Sequence, residues 1–244
     1  AFSDLNVDKA GNIFVAGTFE SDVILRDVGD KYVYTIPRVG ELKRGAYLVK
    51  FDNAGKFLWK TRFATEGPQI TDASINSISI DESGNAYVVG SVLWYYSTEG
   101  IAIYEEDESK LRVNPGGSFI LKFNQSGRYV WDTGLQGEVA YNSAAASFIT
   151  GNSLYFTYTA SHTDGNRVAY TLNSNDGKSV KHSISGSEFG LAKYTLDGNL
   201  ERVFTSGENE GGFLNPGGIY IDADDNIVIS GTIDPSNGGT GRYN

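Results

Sequence analysis

Short stretches of this chain alternate apolar with polar residues, and glycine, asparagine, aspartate and serine separate the stretches. The segments 74–81, 85–92, 117–124 and 128–133 are rich in the β-branched and aromatic residues that favour strands. No segment keeps a 3.6-residue apolar period over ten or more residues, so little helix is expected. The pattern therefore predicts an all-β protein in which these four segments are strands.

Two sequence phrases return along the chain at intervals of about 70 residues. The first is a polar turn that ends in asparagine, with glycine before it in the first three copies and Asp225 in the fourth, and it leads into a β-prone run. Its asparagines are Asn12, Asn85, Asn152 and Asn226. The second joins a lysine, an aromatic residue and a turn that contains glycine. Its lysines are Lys50, Lys122 and Lys193. Because two independent markers keep one period, the chain contains an internal repeat.

Each period reads as four antiparallel strands, and such units in tandem can be arranged radially as a β-propeller. A β-sandwich would show about seven strands before any repetition, whereas here the pattern returns after four. The units are 1–70, 71–142, 143–216 and the incomplete 217–244. We therefore predict one propeller segment of about three complete blades and half of a fourth, within a larger ring. The alternative is a four-bladed ring whose last blade another chain completes.

Tight turns and long inserts alternate within each unit. The Asp-x-x-Gly connections suit a type I turn followed by a left-handed glycine, so they predict hairpins between strands one and two and between strands three and four. Strands two and three are instead separated by the inserts 20–44, 93–116 and 160–186. We expect each insert to form an extra hairpin that extends strands two and three. Since loops on a rigid scaffold carry function, the insert face is the predicted binding surface.

Individual residues of the inserts are candidates for that surface. Trp94, Tyr95 and Tyr96 could stack against a carbohydrate or a partner, although packing on the next blade is the alternative. His162 lies in the third insert with His182, and neither belongs to a nucleophile or metal-ligand motif. We predict no catalytic residues and no resident metal.

The acidic run 105–108 is a candidate for a cation site, since calcium takes several oxygen ligands. Consecutive carboxylates in a strand point to opposite faces, and the spacing of a dedicated calcium loop is missing. A solvated charged tip is therefore the favoured interpretation, and calcium is the weaker alternative. Trp59, Trp131, Lys50 and Lys122 belong to the repeated phrases, so they are expected to pack in the core and between blades.

Composition disfavours several classes of partner and excludes cysteine chemistry. The formal net charge is −10, with 20 basic and 30 acidic residues. This balance disfavours nucleic acid and anionic membrane surfaces, both of which recruit lysine and arginine. The chain has no cysteine, so it has no disulfide and no thiolate metal site. No apolar stretch is long enough to insert into a membrane.

The segments 7–19 and 45–59 together resemble the SBBP-type β-propeller repeat of bacteria, whose halves combine D-x-x-G-N with K-[FY]-D-x-x-G and a tryptophan. The second unit matches nearly as well and ends at Trp131. The third departs from the pattern, because Thr150 replaces the turn aspartate and no tryptophan follows Gly198. The resemblance implies a propeller in an exported or surface protein, and it implies no catalytic residues.

Three functions are compatible with this sequence. The favoured one is a non-catalytic scaffold at the bacterial cell surface or outer-membrane exterior, which contacts a protein partner or a surface glycan through its insert face. The alternative is a carbohydrate-active enzyme whose site is completed by missing blades. The third is a structural spacer within a larger polypeptide or multiprotein assembly.

Overall fold

Antiparallel strands make up almost all of the computed structural model, which describes residues 1–38, 44–65, 72–93, 101–113, 117–137, 141–162, 166–207, 213–222, 224 and 226–234. No helix occurs in this part of the chain, as predicted. Accordingly, no helix found there is long and apolar enough to cross a membrane. The strands are β1 (Phe2–Val7), β2 (Ile13–Phe19), β3 (Val23–Asp27), β4 (Lys31–Ile36), β5 (Gly45–Phe51), β6 (Phe57–Thr65), β7 (Asp72–Ile80), β8 (Ala86–Leu93), β9 (Ile101–Tyr104), β10 (Lys110–Val113), β11 (Ser118–Phe123), β12 (Tyr129–Gly137), β13 (Tyr141–Thr150), β14 (Ser153–Ser161), β15 (Val168–Asn173), β16 (Ser179–Ile184), β17 (Ser187–Thr195), β18 (Leu200–Thr205), β19 (Phe213–Ile221) and β20 (Ile227–Asp234).

Each of the first three repeats contributes four neighbouring strands to one sheet. Their order is β1-β2-β5-β6 in the first repeat, β7-β8-β11-β12 in the second and β13-β14-β17-β18 in the third. The described part of the fourth repeat supplies the pair β19-β20. The predicted four-stranded antiparallel repeat is therefore confirmed.

The tight turns have the predicted geometry. Gly84 has φ 78°, in the left-handed region that glycine enters without strain. The Asp81 carboxylate accepts hydrogen bonds of 2.9 Å from the backbone N–H groups of Ser83 and Asn85. These bonds occupy donors that the turn would otherwise leave unpaired. The local sequence thus fixes both the direction and the length of each hairpin.

The inserts form hairpins, but these do not extend strands two and three of their own repeat. Strand β9 of the second repeat pairs with β6 of the first, with Ile103 opposite Phe63. Strand β15 of the third repeat pairs with β12 of the second, with Leu172 opposite Leu135. The prediction was wrong because the second and third insert hairpins pair with the outer edges of β6 and β12 instead of prolonging strands two and three. The outer edge of the preceding repeat is the one that accepts the hairpin.

The first insert hairpin forms a two-stranded sheet of its own, β3-β4. One face of it is apolar, and the buried Leu25 and Ile36 pack against Phe19 and Val49 of the first repeat. Insert hairpins are therefore held by their own repeat through side chains. The second and third hairpins are also held by the preceding repeat through backbone hydrogen bonds.

The apolar core lies between successive repeats. Phe14 and Leu48 of the first repeat are fully buried in one cluster with Ile75 and Val88 of the second. A corresponding cluster joins the second repeat to the third. A single sheet leaves one apolar face uncovered, so the repeats stabilise one another by stacking.

The first strands of the repeats are linked by polar contacts at equivalent positions. The Ile78 N–H donates to the Asp4 carboxylate at 2.7 Å, and the Asn6 amide donates to the Ile78 carbonyl at 2.9 Å. One repeat later, the Ser147 N–H donates to the Ser77 hydroxyl at 3.2 Å. These bonds fix the register of one repeat against the next.

An aromatic ring lies over a glycine at the centre of each complete repeat. In the second repeat Phe119 of strand three covers Gly90 of strand two. In the third repeat the two are exchanged, and Tyr158 of strand two covers Gly190 of strand three. The first repeat has the order of the second, with Tyr47 over Gly17. The combined volume of the pair is therefore kept although its order is not.

Gly90→Ala is expected to lower the free energy of unfolding by about 1–3 kcal/mol, the usual cost of overpacking. A Cβ there would lie 2.5 Å from the Phe119 ring and 2.1 Å from the Ser74 carbonyl oxygen. Gly217→Ala is the control, because its Cβ would meet nothing closer than 3.8 Å. Urea unfolding of both variants checks this. Equal stability of the two variants would contradict it.

Candidate functional site

The predicted surface residues are described only in part. Trp94, Tyr95 and Tyr96 lie outside the residues that the structure describes. His162 is half-buried just after β14, where its backbone N–H donates to the Gly186 carbonyl at 2.9 Å. This places His162 where the third insert joins strands two and three. A binding role for these four residues stays a prediction.

A buried polar network anchors the third insert hairpin to its own repeat. The Tyr170 hydroxyl of β15 donates to the Glu188 carboxylate of β17. The Tyr158 hydroxyl of β14 lies 3.2 Å from that of Tyr170, and His182 stacks on the Tyr170 ring at 5.3 Å. Burial raises the pKa of both phenols, so they remain neutral hydrogen-bond donors. This arrangement holds a hairpin in place.

The acidic run is a solvated tip only in part, because Asp107 and Glu108 are exposed whereas Glu105 is buried. Glu105 is 5% exposed, its carboxylate accepts from the Tyr129 N–H at 2.7 Å, and it forms an ion pair with Arg128. Asp107 pairs with the same guanidinium at 2.7 Å. The sequence interpretation was wrong for Glu105 because Arg128, in the turn between β11 and β12 of the neighbouring sheet, reaches its carboxylate. The run thus ties the insert of the second repeat to that repeat's own strand four.

The far side of the same turn is tied to the first repeat. Lys60 of β6 is 1% exposed, and its ammonium donates to the Glu105 carbonyl at 3.2 Å and pairs with Glu108. The Tyr34 hydroxyl of β4 donates to the Glu108 carboxylate at 2.6 Å. The turn therefore joins three elements that are distant in sequence.

The pKa values of Glu108 and Tyr34 are shifted by these contacts between the turn and the first repeat. Burial acts to raise the pKa of Glu108, but hydrogen bonds from Lys60 and Tyr34 outweigh it and hold that pKa below its ordinary value. Burial and the hydrogen bond to Glu108 raise the pKa of Tyr34 to about 12. The oxygens that could have ligated calcium face cations and N–H donors instead. Within the described ranges, no group of three or more histidine, aspartate or glutamate side chains is placed to hold a metal.

Acid is expected to weaken this junction. Unfolded, Glu108 titrates near 4.5, and folded it titrates at a lower pH. Its stabilisation is therefore complete above about pH 5 and is lost as the pH falls through the folded pKa. Glu108→Gln should cost about 1 kcal/mol at pH 7, because the carboxylate is partly exposed. The difference from the unsubstituted chain should shrink towards pH 3.

Urea unfolding at a series of pH values measures both effects. Glu82→Gln is the control, since Glu82 pairs with Lys9 on the surface at 2.7 Å and both side chains are largely exposed. That change should alter stability little. A Glu108→Gln difference that stays constant from pH 7 to pH 3 would show that the carboxylate does not contribute as described.

In the first and second repeats, side chains at three equivalent positions contact the turn between strands three and four of the following repeat. We call these three positions the socket: an aromatic residue of strand two, the lysine of strand three and the strand-four residue opposite that lysine. In the first repeat these are Phe14, Lys50 and Trp59. The Lys50 ammonium lies 4.7 Å from the Phe14 ring centre, and the Trp59 indole N–H donates to the Gln125 carbonyl at 3.0 Å. Gly127 lies so close to the indole that a Cβ would be 2.6 Å from it.

The second repeat has the same socket, formed by Tyr87, Lys122 and Trp131. The Lys122 ammonium lies 5.1 Å from the Tyr87 ring centre and donates to the Leu196 carbonyl at 2.9 Å. A Cβ on Gly198 would lie 3.1 Å from the Trp131 indole. In both sockets the bound carbonyl stands two residues before the turn glycine. The expected packing role of both lysines and both tryptophans is confirmed.

The third socket is an open groove formed by Tyr155, Lys193 and Arg202. The Lys193 ammonium lies 5.7 Å from the Tyr155 ring centre and pairs with Glu201 at 2.9 Å. The groove has a volume of about 580 Å³. Its remaining lining residues are Glu201, Phe204 and Ile227. No turn from the described residues of the fourth repeat reaches Lys193. The sequence analysis missed this site, although the repeated lysines marked it.

Removing the lysine should cost stability where the socket is filled and little where it is open. Lys122→Met leaves the Leu196 carbonyl with one donor fewer and should cost about 1–3 kcal/mol. Lys193→Met removes only a partly exposed ion pair and should cost less than about 1 kcal/mol. Thermal and urea unfolding of the two variants compare equivalent positions. A larger loss for Lys193→Met would contradict the assignment of filled and open sockets.

Comparison with known proteins agrees with the repeat. The family model of the SBBP beta-propeller repeat matches residues 58–91, from within β6 to within β8. The match crosses from the fourth strand of the first repeat to the second strand of the second, and it confirms the resemblance seen in the sequence. No curated protein matches the chain.

Proposed function

We propose that this chain is part of a β-propeller that acts as a non-catalytic binding and assembly scaffold on the exterior of a bacterial cell. The observation that carries the proposal is the open socket of the third repeat. The same three positions bind a main-chain turn in the first and second repeats. Two cations and aromatic rings in an open groove form a surface suited to a protein partner or a glycan.

The propeller arrangement is supported by the SBBP match and by the stacking of the sheets. Successive first strands lie side by side and exchange hydrogen bonds, as the innermost strands of neighbouring blades do. Each repeat covers the apolar face of its neighbour. We propose a ring of more than the three four-stranded repeats, since edge strands remain available at both ends of the described sheets.

The exterior location is proposed from the resemblance to SBBP-type repeats, and a net charge of −10 is compatible with it. An acidic surface does not favour binding to anionic lipid or nucleic acid. The partner is proposed to be a protein or a surface glycan, within a larger polypeptide or multiprotein assembly. No cofactor is needed for such a role.

The described carboxylates favour binding over glycoside hydrolysis. A glycosidase needs two carboxyl groups that face each other across a sugar. The buried Glu105 is engaged by Arg128, and the buried Glu188 accepts from Tyr170. Both serve contacts within the fold. The carbohydrate-active alternative is therefore the less favoured proposal.

An array of glycans and peptides, combined with a polysaccharide hydrolysis screen, tests this function. The chain should bind without turnover. Phe204→Ala should weaken binding about tenfold, because the ring lines the groove. Val130→Ala is the control, since Val130 is exposed to a similar extent, 47% against 45%, but lies on β12. Hydrolysis, or binding that Phe204→Ala leaves unchanged, would overturn the proposal.

A further inference from the structure

We propose that the third socket and the free edge of β20 together accept a β-hairpin equivalent to strands three and four of a further repeat. The inference rests on the proposed scaffold function and names the partner of the open groove. The occupant is a polypeptide hairpin whose turn carries a left-handed glycine. Its strands complete the fourth four-stranded sheet.

The edge of β20 is the first part of this acceptor. Among the described strands, β20 pairs with β19 alone. Its three counterparts β2, β8 and β14 each pair on their second side with a third strand. Val228 on this edge is 55% exposed. An exposed strand edge offers unpaired N–H and C=O groups, which an added strand satisfies.

The repeat fixes the register of the added strand. Near the start of strand two in each complete repeat, one residue pairs with the aromatic residue that follows the lysine of strand three. The pairs are Ile13 with Phe51, Ala86 with Phe123 and Leu154 with Tyr194. Ile227 holds this position in β20. The incoming aromatic residue therefore lies opposite Ile227, and the incoming lysine lies opposite Val228.

The groove is the second part, and it receives the turn. Lys50 and Lys122 each donate to the carbonyl two residues before a turn glycine. Lys193 holds the same position, so its ammonium leaves Glu201 and donates to that carbonyl. Arg202 stands where the other repeats have tryptophan, and its planar guanidinium replaces the indole as the flat surface above the glycine.

The chemistry at this surface selects a glycine turn over a bulkier one. In the first socket a Cβ at Gly127, whose φ is 77°, would lie 2.6 Å from Trp59, so a larger residue would strain the turn and displace the indole. Ile227 and Phe204 supply the apolar contact for the incoming strands. A glycan could use the same cationic and aromatic side chains, and it would bind without the β20 edge.

A labelled peptide with the sequence of residues 117–137, the hairpin that fills the first socket, is the direct probe. Fluorescence anisotropy with the full chain should show saturable binding with a Kd below about 1 mM. Gly127→Val in the peptide, and Lys193→Met in the protein, should each weaken binding at least about tenfold. Lys178→Met is the control, because Lys178 is exposed and pairs with Asp176 on another hairpin.

The same hairpin joined through a flexible linker to the end of the chain provides a measurement that does not depend on peptide affinity. Amine acylation followed by mass spectrometry should show Lys193 protected and Lys178 reactive. Failure of both the peptide and the joined hairpin to protect Lys193, or protection that persists with Gly127→Val, would overturn the inference. If a glycan of the array instead binds the groove and depends on Phe204, the scaffold function stands and the hairpin is not its partner.

Discussion

Successive repeats meet at a main-chain carbonyl that precedes a turn glycine. Gln125 offers that carbonyl to Lys50 and Trp59, and Leu196 offers it to Lys122. A carbonyl buried without donors would destabilise the fold by about 1–3 kcal/mol. Because the donors belong to one repeat and the acceptor to the next, neither repeat can satisfy its own polar groups. The apolar faces depend on stacking in the same way.

The insert hairpins add a tie in the opposite direction. Strand β9 of the second repeat pairs with β6 of the first, and the Glu105–Glu108 turn adds contacts to Lys60 of the first repeat and to Arg128 of its own repeat. The socket of the second repeat meanwhile holds the turn of the third repeat. The second repeat is thus held to both of its neighbours, to the first by its insert hairpin and to the third by its socket. Nearest-neighbour coupling of this kind makes the stability of each repeat a property of its contacts.

Local features of this fold could be predicted from sequence, and distant ones could not. Gly84 and Asp81 define their turn within four residues, so the hairpins followed directly from the pattern. The strand with which an insert hairpin pairs depends on which strand edges of the folded sheets remain free. The local sequence pattern does not show which edges those are. The burial of Glu105 likewise depends on Arg128, which belongs to another hairpin.

The third repeat departs from the sequence pattern at two places, the glycine–aromatic pair and the socket, and only the first keeps the same packing. It exchanges the glycine and the aromatic residue between strands, yet Tyr158 still covers Gly190. It also replaces the socket tryptophan by Arg202, at the one socket that no described turn fills. An indole there would expose a large apolar surface, whereas a guanidinium is stable in water and keeps a flat face that can stack. The departure from the repeat pattern therefore coincides with the groove that no described turn fills.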